Sequence, residues 1–105
     1  MTEIAPVKTR EEVLALLRQN RALVEQLGVR RLGLFGSFRR GEPRADSDVD
    51  LLIEFAPERK SFRNFMRLAF MLEDLFRRRV ELVTPEGLSP HLRETILRDV
   101  EYVLA

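Results

Sequence analysis

The 105-residue sequence lacks the side chains that most often bind soft metals, since it contains no cysteine and a single histidine, His91. Without cysteine the chain can form neither a disulfide nor a thiolate site, so any metal must be held by oxygen ligands or by that histidine. Oxygen ligands favour hard cations such as Mg²⁺. We interpret His91 as a surface residue, which leaves carboxylates as the candidate ligands.

Long hydrophobic runs are also missing. No apolar stretch approaches the length of a membrane-spanning helix, and the first residues lack the basic start and apolar middle of a secretory signal. A chain of this length is enough for one hydrophobic core and too short for two. The sequence therefore predicts a single domain over residues 1–105, located in the cytoplasm and without membrane contact.

Charge of one sign is not in excess, because 18 basic residues nearly balance 17 acidic ones. No overall positive field would therefore attract nucleic acid. The most basic run, Arg77 to Arg79, follows a predicted helix, where positive charge complements the helix dipole. We predict no strong nucleic-acid platform.

Apolar spacing and end signals predict an α/β (α+β) fold, with a small mixed sheet flanked by helices. Thr9 and Glu12 have the spacing of a capping box at the start of a helix predicted over residues 10–27. A long helix follows Ser61 and a last helix covers residues 90–98. The predicted strands are residues 29–35, 49–55 and 80–83, and residues 100–104 fit either an edge strand or an extended arm.

Two apolar stripes run along the predicted long helix. The first is interpreted as core and consists of Phe62, Phe65, Met66, Ala69, Leu72 and Phe76. The second consists of Leu68, Met71 and Leu75. Because a three-stranded sheet covers only one side of a helix, we interpret the second stripe as a contact surface for a partner or for a second copy of the chain.

The predicted topology brings three polar features to one end of the sheet. A short connection makes the first two strands antiparallel, and the helical crossover makes the second and third strands parallel. The end of the first strand carries Gly36 and Ser37, the start of the second carries Asp48 and Asp50, and the start of the third carries Glu81.

The spacing of Asp48 and Asp50 places both side chains on one face, where two close carboxylates repel unless a cation lies between them. This predicts a divalent-metal site. Gly36 permits close approach of a ligand, and Ser37 with the amides that follow could hold phosphate oxygens. Asp46 is interpreted as a turn residue.

Three arginines in the same connection, Arg39, Arg40 and Arg44, are predicted to bind a polyphosphate through forked hydrogen bonds.

The pair Gly36-Ser37, separated by ten residues from Asp48-x-Asp50, resembles the signature of the polymerase-beta-like nucleotidyltransferases. With the stretch Ser47 to Leu51 and the later strand Val80 to Pro85, nearly the whole chain resembles the prokaryotic minimal nucleotidyltransferases (MNT). These small proteins are paired with a four-helix partner of the HEPN type.

This resemblance implies transfer of a nucleoside monophosphate, such as AMP from ATP, to a hydroxyl acceptor with release of pyrophosphate. It implies two Mg²⁺ ions held by Asp48, Asp50 and a third acid, here Glu81 where the family usually has aspartate. Gly36 and Ser37 would contact the triphosphate. The acceptor implied is the HEPN-type toxin, with this chain as its antitoxin.

Two other functions stay open. Because Glu81 departs from the usual aspartate, it could be a solvent-facing strand residue in a non-catalytic module that binds nucleotide and neutralises its partner by contact. A stand-alone transferase for a small molecule is less well supported, because we expect no additional acceptor-binding domain.

Overall fold

A computed structural model gives the structure of residues 5–105, in which five helices flank a four-stranded mixed sheet. The helices are α1 (Arg10–Gln19), α2 (Arg21–Gln26), α3 (Gly36–Arg39), α4 (Phe62–Phe76) and α5 (Pro90–Asp99). The strands are β1 (Val29–Phe35), β2 (Val49–Phe55), β3 (Val80–Val83) and β4 (Glu101–Leu104). Within this part of the chain, no helix is long and apolar enough to cross a membrane. The predicted fold class is confirmed.

Strand pairing in the sheet follows the predicted topology. The order is β3-β2-β1-β4, with β1 and β2 antiparallel and β2 and β3 parallel. Helix α4 supplies the crossover that a parallel pair requires. The C-terminal residues, which the sequence left as either a strand or an arm, form the edge strand β4, antiparallel to β1.

Strand β2 is covered on both of its faces. Its consecutive residues Leu51, Leu52 and Ile53 are 0%, 1% and 0% exposed. Because successive side chains of a strand point to opposite faces, burial of all three requires packing on both sides. The nearly continuous apolar sequence of β2 thus fits an interior strand of the sheet, and this strand carries Asp50.

The prediction of one helix over residues 10–27 is wrong in one respect. The structure has two helices there, α1 and α2, which are separated at Asn20. The Thr9 hydroxyl caps α1 by accepting a hydrogen bond from the Glu12 N–H at 3.0 Å, as the spacing predicted. At the other end, Asn20 Nδ2 donates to the Leu16 carbonyl at 2.8 Å. A side-chain amide that competes for a backbone carbonyl in this way favours the end of a helix.

The assignment of the two apolar stripes on α4 is partly wrong. Leu68, assigned to a contact surface, is 0% exposed, and Met71 and Leu75 are half-buried against the core. Phe62, assigned to the core, is 79% exposed, and Phe70 is 62% exposed. Because α1 also contacts α4, this helix buries a broader face than the sheet alone would cover. The stripe containing Leu68 is therefore core and not a free surface.

This corrected orientation of α4 predicts different costs for two truncations on the same helix. Leu68→Ala should lower the free energy of unfolding by about 2–5 kcal/mol, because it opens a cavity in a closed core. Phe70→Ala, the matched control, should cost about 1 kcal/mol or less, because that ring is mostly in solvent. Urea denaturation of both variants measures the difference. Equal costs would contradict the orientation of α4.

Candidate functional site

The strand register brings the predicted site residues together at one end of the sheet. Phe35, the last residue of β1, lies opposite Asp50 of β2, and Asp50 lies opposite Glu81 of β3. Gly36 follows Phe35 directly and begins α3. The convergence expected from the topology is therefore present in the backbone.

The absent side chain of Gly36 makes room for Asp50. A Cβ at position 36 would lie 2.1 Å from Asp50 Oδ2, and the residue has a φ of +77°, which L side chains rarely adopt. Both the space and the backbone conformation therefore require glycine here. The close approach that Gly36 permits is made, in this structure, by a carboxylate of the site itself.

Asp50 sits in an environment that disfavours its charged form. Burial is the largest cause, followed by a hydrogen bond with the Glu81 carboxyl and by the negative charges of Glu81 and Asp48. Arg40 opposes these effects only in part, and together they raise the pKa of Asp50 to about 7. The Asp50 carboxyl group therefore takes up a proton near neutral pH when no cation is bound.

Asp48 stands slightly apart from that pair. It precedes β2, is partly exposed, and acts on Asp50 through its charge. Within residues 5–105, no three histidine, aspartate or glutamate side chains converge into a complete cluster for a metal ion. Asp50 and Glu81 lie opposite each other on β2 and β3, and Asp48 lies on the segment that leads into β2.

The three arginines predicted to bind phosphate lie in three different surroundings. Arg39 Nε is 3.6 Å from Glu101 of β4. Arg40 lines a cleft of about 530 Å³ together with Gly36 and Glu81. Arg44 is exposed and lines a second, more basic cleft of about 690 Å³ that includes Asp48. Of the three, Arg40 is the one that the structure places beside Glu81.

Sequence reasoning missed Asp99, the last residue of α5. Its Oδ2 accepts a hydrogen bond from the Gly36 N–H at 3.1 Å and one from Arg40 Nη1 at 3.4 Å. The carboxylate thus occupies the N–H of Gly36, a residue that was expected to contact the triphosphate. No local pattern could have revealed this, because Asp99 is 63 residues from Gly36 in the chain.

The matches to known proteins agree with this geometry. Residues 16–103 match the family described as the nucleotidyltransferase domain. The chain belongs to this family. This nucleotidyltransferase is 43% identical over 96 residues to protein adenylyltransferase MntA of Thermococcus cleftensis, an alignment that covers 90% of this chain and 96% of that protein.

Two solved structures resemble this nucleotidyltransferase in fold. One, named provisionally as a minimal nucleotidyltransferase, has a TM-score of 0.81 at 37% identity and covers 92% of this chain and 98% of its own. Another is a complex of a tri-AMPylated Shewanella oneidensis HEPN toxin with its MNT antitoxin. Its TM-score is 0.63 at 17% identity, over 88% of this chain and 72% of that one, which indicates a shared fold alone.

The raised pKa of Asp50 predicts how the stability of the metal-free nucleotidyltransferase depends on pH. Its pKa rises from 3.8 to about 7 on folding, so between these values the folded state binds more protons than the unfolded state. Stability must then fall as pH rises through this range. Asp50→Asn should remove this part of the pH dependence, whereas Asp46→Asn, an exposed turn substitution, should retain it.

Urea unfolding at pH 5 and pH 8 in the presence of a chelator measures the effect, and comparison of variants cancels the contribution of other titrating groups. An unchanged pH dependence in Asp50→Asn would contradict the environment described for Asp50.

Proposed function

We propose that this chain is a Mg²⁺-dependent protein adenylyltransferase that transfers AMP from ATP to a hydroxyl group of a HEPN-type toxin, and so acts as its antitoxin. The observation that carries the proposal is the pairing of Asp50 with Glu81 across β2 and β3, beside Gly36. Two acidic side chains held close together at one end of a sheet destabilise the folded protein when both are charged, unless a cation lies between them. The 43% identical relative is named as a protein adenylyltransferase, which supports AMP as the transferred group.

The residues at this end of the sheet fit a hard divalent cation by the chemistry of their donors. All candidate ligands are carboxylate oxygens, and Asp48, Asp50 and Glu81 would hold the two ions that the family resemblance implies. When bound, Mg²⁺ would neutralise charge on the phosphoryl oxygens and lower the pKa of the acceptor hydroxyl. Because Asp50 is protonated near neutrality without metal, ion binding would release its proton.

The cleft beside Gly36 has two chemically different parts that suit a nucleotide. Gly36 and Arg40 lie at its polar end, and a largely apolar part is formed by Val83, Leu88, Leu92 and Ile96. An arginine and a backbone N–H are suited to phosphate oxygens, and an apolar wall is suited to a flat base. Because both polar donors currently bond to Asp99, a triphosphate must share them with this carboxylate or replace it. Ser37, Arg39 and Arg44 remain predicted phosphate contacts.

The different exposure of the carboxylates suggests which of them serve the triphosphate and which serves the acceptor. In the transfer, the acceptor oxygen forms a bond to the α-phosphorus, the bond from that phosphorus to pyrophosphate breaks, and the hydroxyl proton passes to solvent water. Asp50 is partly buried next to Gly36, and Glu81 is exposed at the cleft. We therefore assign Asp50, with Asp48, to the triphosphate side and Glu81 to the acceptor side.

A second function, neutralisation of the partner by contact without transfer, is favoured by two observations. The described residues do not form a complete three-ligand cluster, and the third acid is glutamate instead of the usual aspartate. A HEPN-type partner is proposed in both cases, by analogy with the complex that shares this fold.

Glu81→Gln separates the two functions, because it keeps the volume of the side chain and removes its charge. We expect transfer from labelled ATP to the HEPN-type partner to fall by about 10²-fold or more, while the affinity for ATP with Mg²⁺ is retained. Glu58→Gln is the matched control, since Glu58 is an exposed glutamate on the turn after β2. It should transfer at the wild-type rate.

Transfer by Glu81→Gln at the wild-type rate would show that Glu81 is not catalytic. If the wild type transfers nothing to the partner and still neutralises it, the non-catalytic function is correct instead.

A further inference from the structure

Arg78, in the turn between α4 and β3, binds two segments that are distant in sequence. Its Nε donates to the carbonyl of Val7 at 2.6 Å. Its Nη1 donates to the carbonyls of Ala45 at 2.8 Å and Ser47 at 3.2 Å. One guanidinium therefore joins the N-terminal segment to the connection that precedes Asp48.

The surroundings of Arg78 favour a single orientation of its side chain. The guanidinium carbon lies 5.2 Å from the centre of the Phe38 ring, which is fully buried in α3. Arg77 ends α4 in the left-handed conformation, with a φ of 56°, and turns the chain there. Stacking on a ring and bonding to carbonyls use the planar fork of arginine in a way that lysine cannot reproduce.

The contacts of this turn bracket Asp48 on both sides. The carbonyl before it, on Ser47, accepts from Arg78, and the N–H after it, on Val49, donates to the carbonyl of Arg79 at 3.0 Å. The preceding turn is closed by the Arg44 N–H, which donates to the Ser47 hydroxyl at 2.7 Å. Asp48 is thus attached to a segment whose backbone is fixed from outside.

We infer that Arg78 is a positioning residue, which holds the backbone of residues 44–47 so that Asp48 points its carboxylate toward Asp50 and Glu81. Its four hydrogen bonds all go to backbone carbonyls, so Nε and Nη1 stabilise the protein and are not available to an anion in the basic cleft. The part of the inference that concerns metal binding rests on the proposed function.

Arg78→Met tests the inference, and Arg79→Met is its matched control. The control residue is adjacent and exposed, and within residues 5–105 its side chain makes no ion pair or hydrogen bond. Hydrogen exchange in the metal-free protein reports on the backbone around Asp48. Titration with Mn²⁺ alone, followed by electron paramagnetic resonance, reports on the carboxylate site.

We expect Arg78→Met to speed amide exchange at Ser47 and Val49 by about tenfold or more and to weaken Mn²⁺ binding by about tenfold. Arg78→Lys should recover part of both losses, and Arg79→Met should stay within about twofold of the wild type. Thermal unfolding followed by circular dichroism identifies a temperature at which all variants are folded, and both measurements are made at that temperature. If the methionine variant does not fold, Arg78→Lys is tested instead. It should also speed amide exchange and weaken Mn²⁺ binding, by smaller factors.

A double-mutant cycle distinguishes positioning from a general loss of structure. If Arg78 acts through Asp48, then Arg78→Met should cause no further loss of Mn²⁺ affinity in a protein that already carries Asp48→Asn. Equal losses in both backgrounds, or Mn²⁺ affinity and exchange rates unchanged by Arg78→Met, would overturn the inference. If the wild type binds no Mn²⁺, the proposed metal site is wrong, and the exchange rates alone decide whether Arg78 holds this segment.

Discussion

The parallel register of β2 and β3 places Asp50 directly opposite Glu81, and the rest of the site depends on this pairing. In a parallel ladder the two residues cannot separate without breaking the sheet, and β2 is covered on both faces. Their carboxyl groups are thus held together by the packing of the apolar residues that follow Asp50 in β2. The repulsion that results is what a cation would relieve, and it explains why acids precede the most apolar strand of the chain.

Residues distant in sequence stabilise this arrangement from outside. Gly36 leaves the space that Asp50 fills, and Asp99, at the end of α5, accepts hydrogen bonds from Gly36 and Arg40. Arg78 fixes the segment before Asp48. These contacts connect α3, α5 and the segment before Asp48 to the same end of the sheet. A nucleotide bound at this end of the sheet, as proposed, would therefore compete with, or use, groups that already have partners within the protein.

The sequence was sufficient for β1, β2 and β3 and for the pairing of these three strands, because their apolar patterns end at glycine or proline signals, whereas it left the strand β4 undecided. It was insufficient where the outcome depended on tertiary contacts. Leu68 was assigned to a surface because the packing of α1 on α4 could not be foreseen, and Asn20 ended α1 through a side-chain bond. Asp99 and Arg78 carry no local signal, because the partners of Asp99 lie 59 and 63 residues away and those of Arg78 lie 31 to 71 residues away.

The central claim is that carboxyl groups held close together at this end of the sheet bind a cation. Titration of the Asp50 carboxyl group, followed by carbon-13 NMR, tests it most directly. In the metal-free protein the titration midpoint should lie at about pH 7. With Mg²⁺ and a non-hydrolysable ATP analogue, the group should be ionised well below that pH, because a bound cation favours the charged form. A metal-free midpoint near 3.8, or one at about 7 that Mg²⁺ and the analogue leave unchanged, would contradict the account.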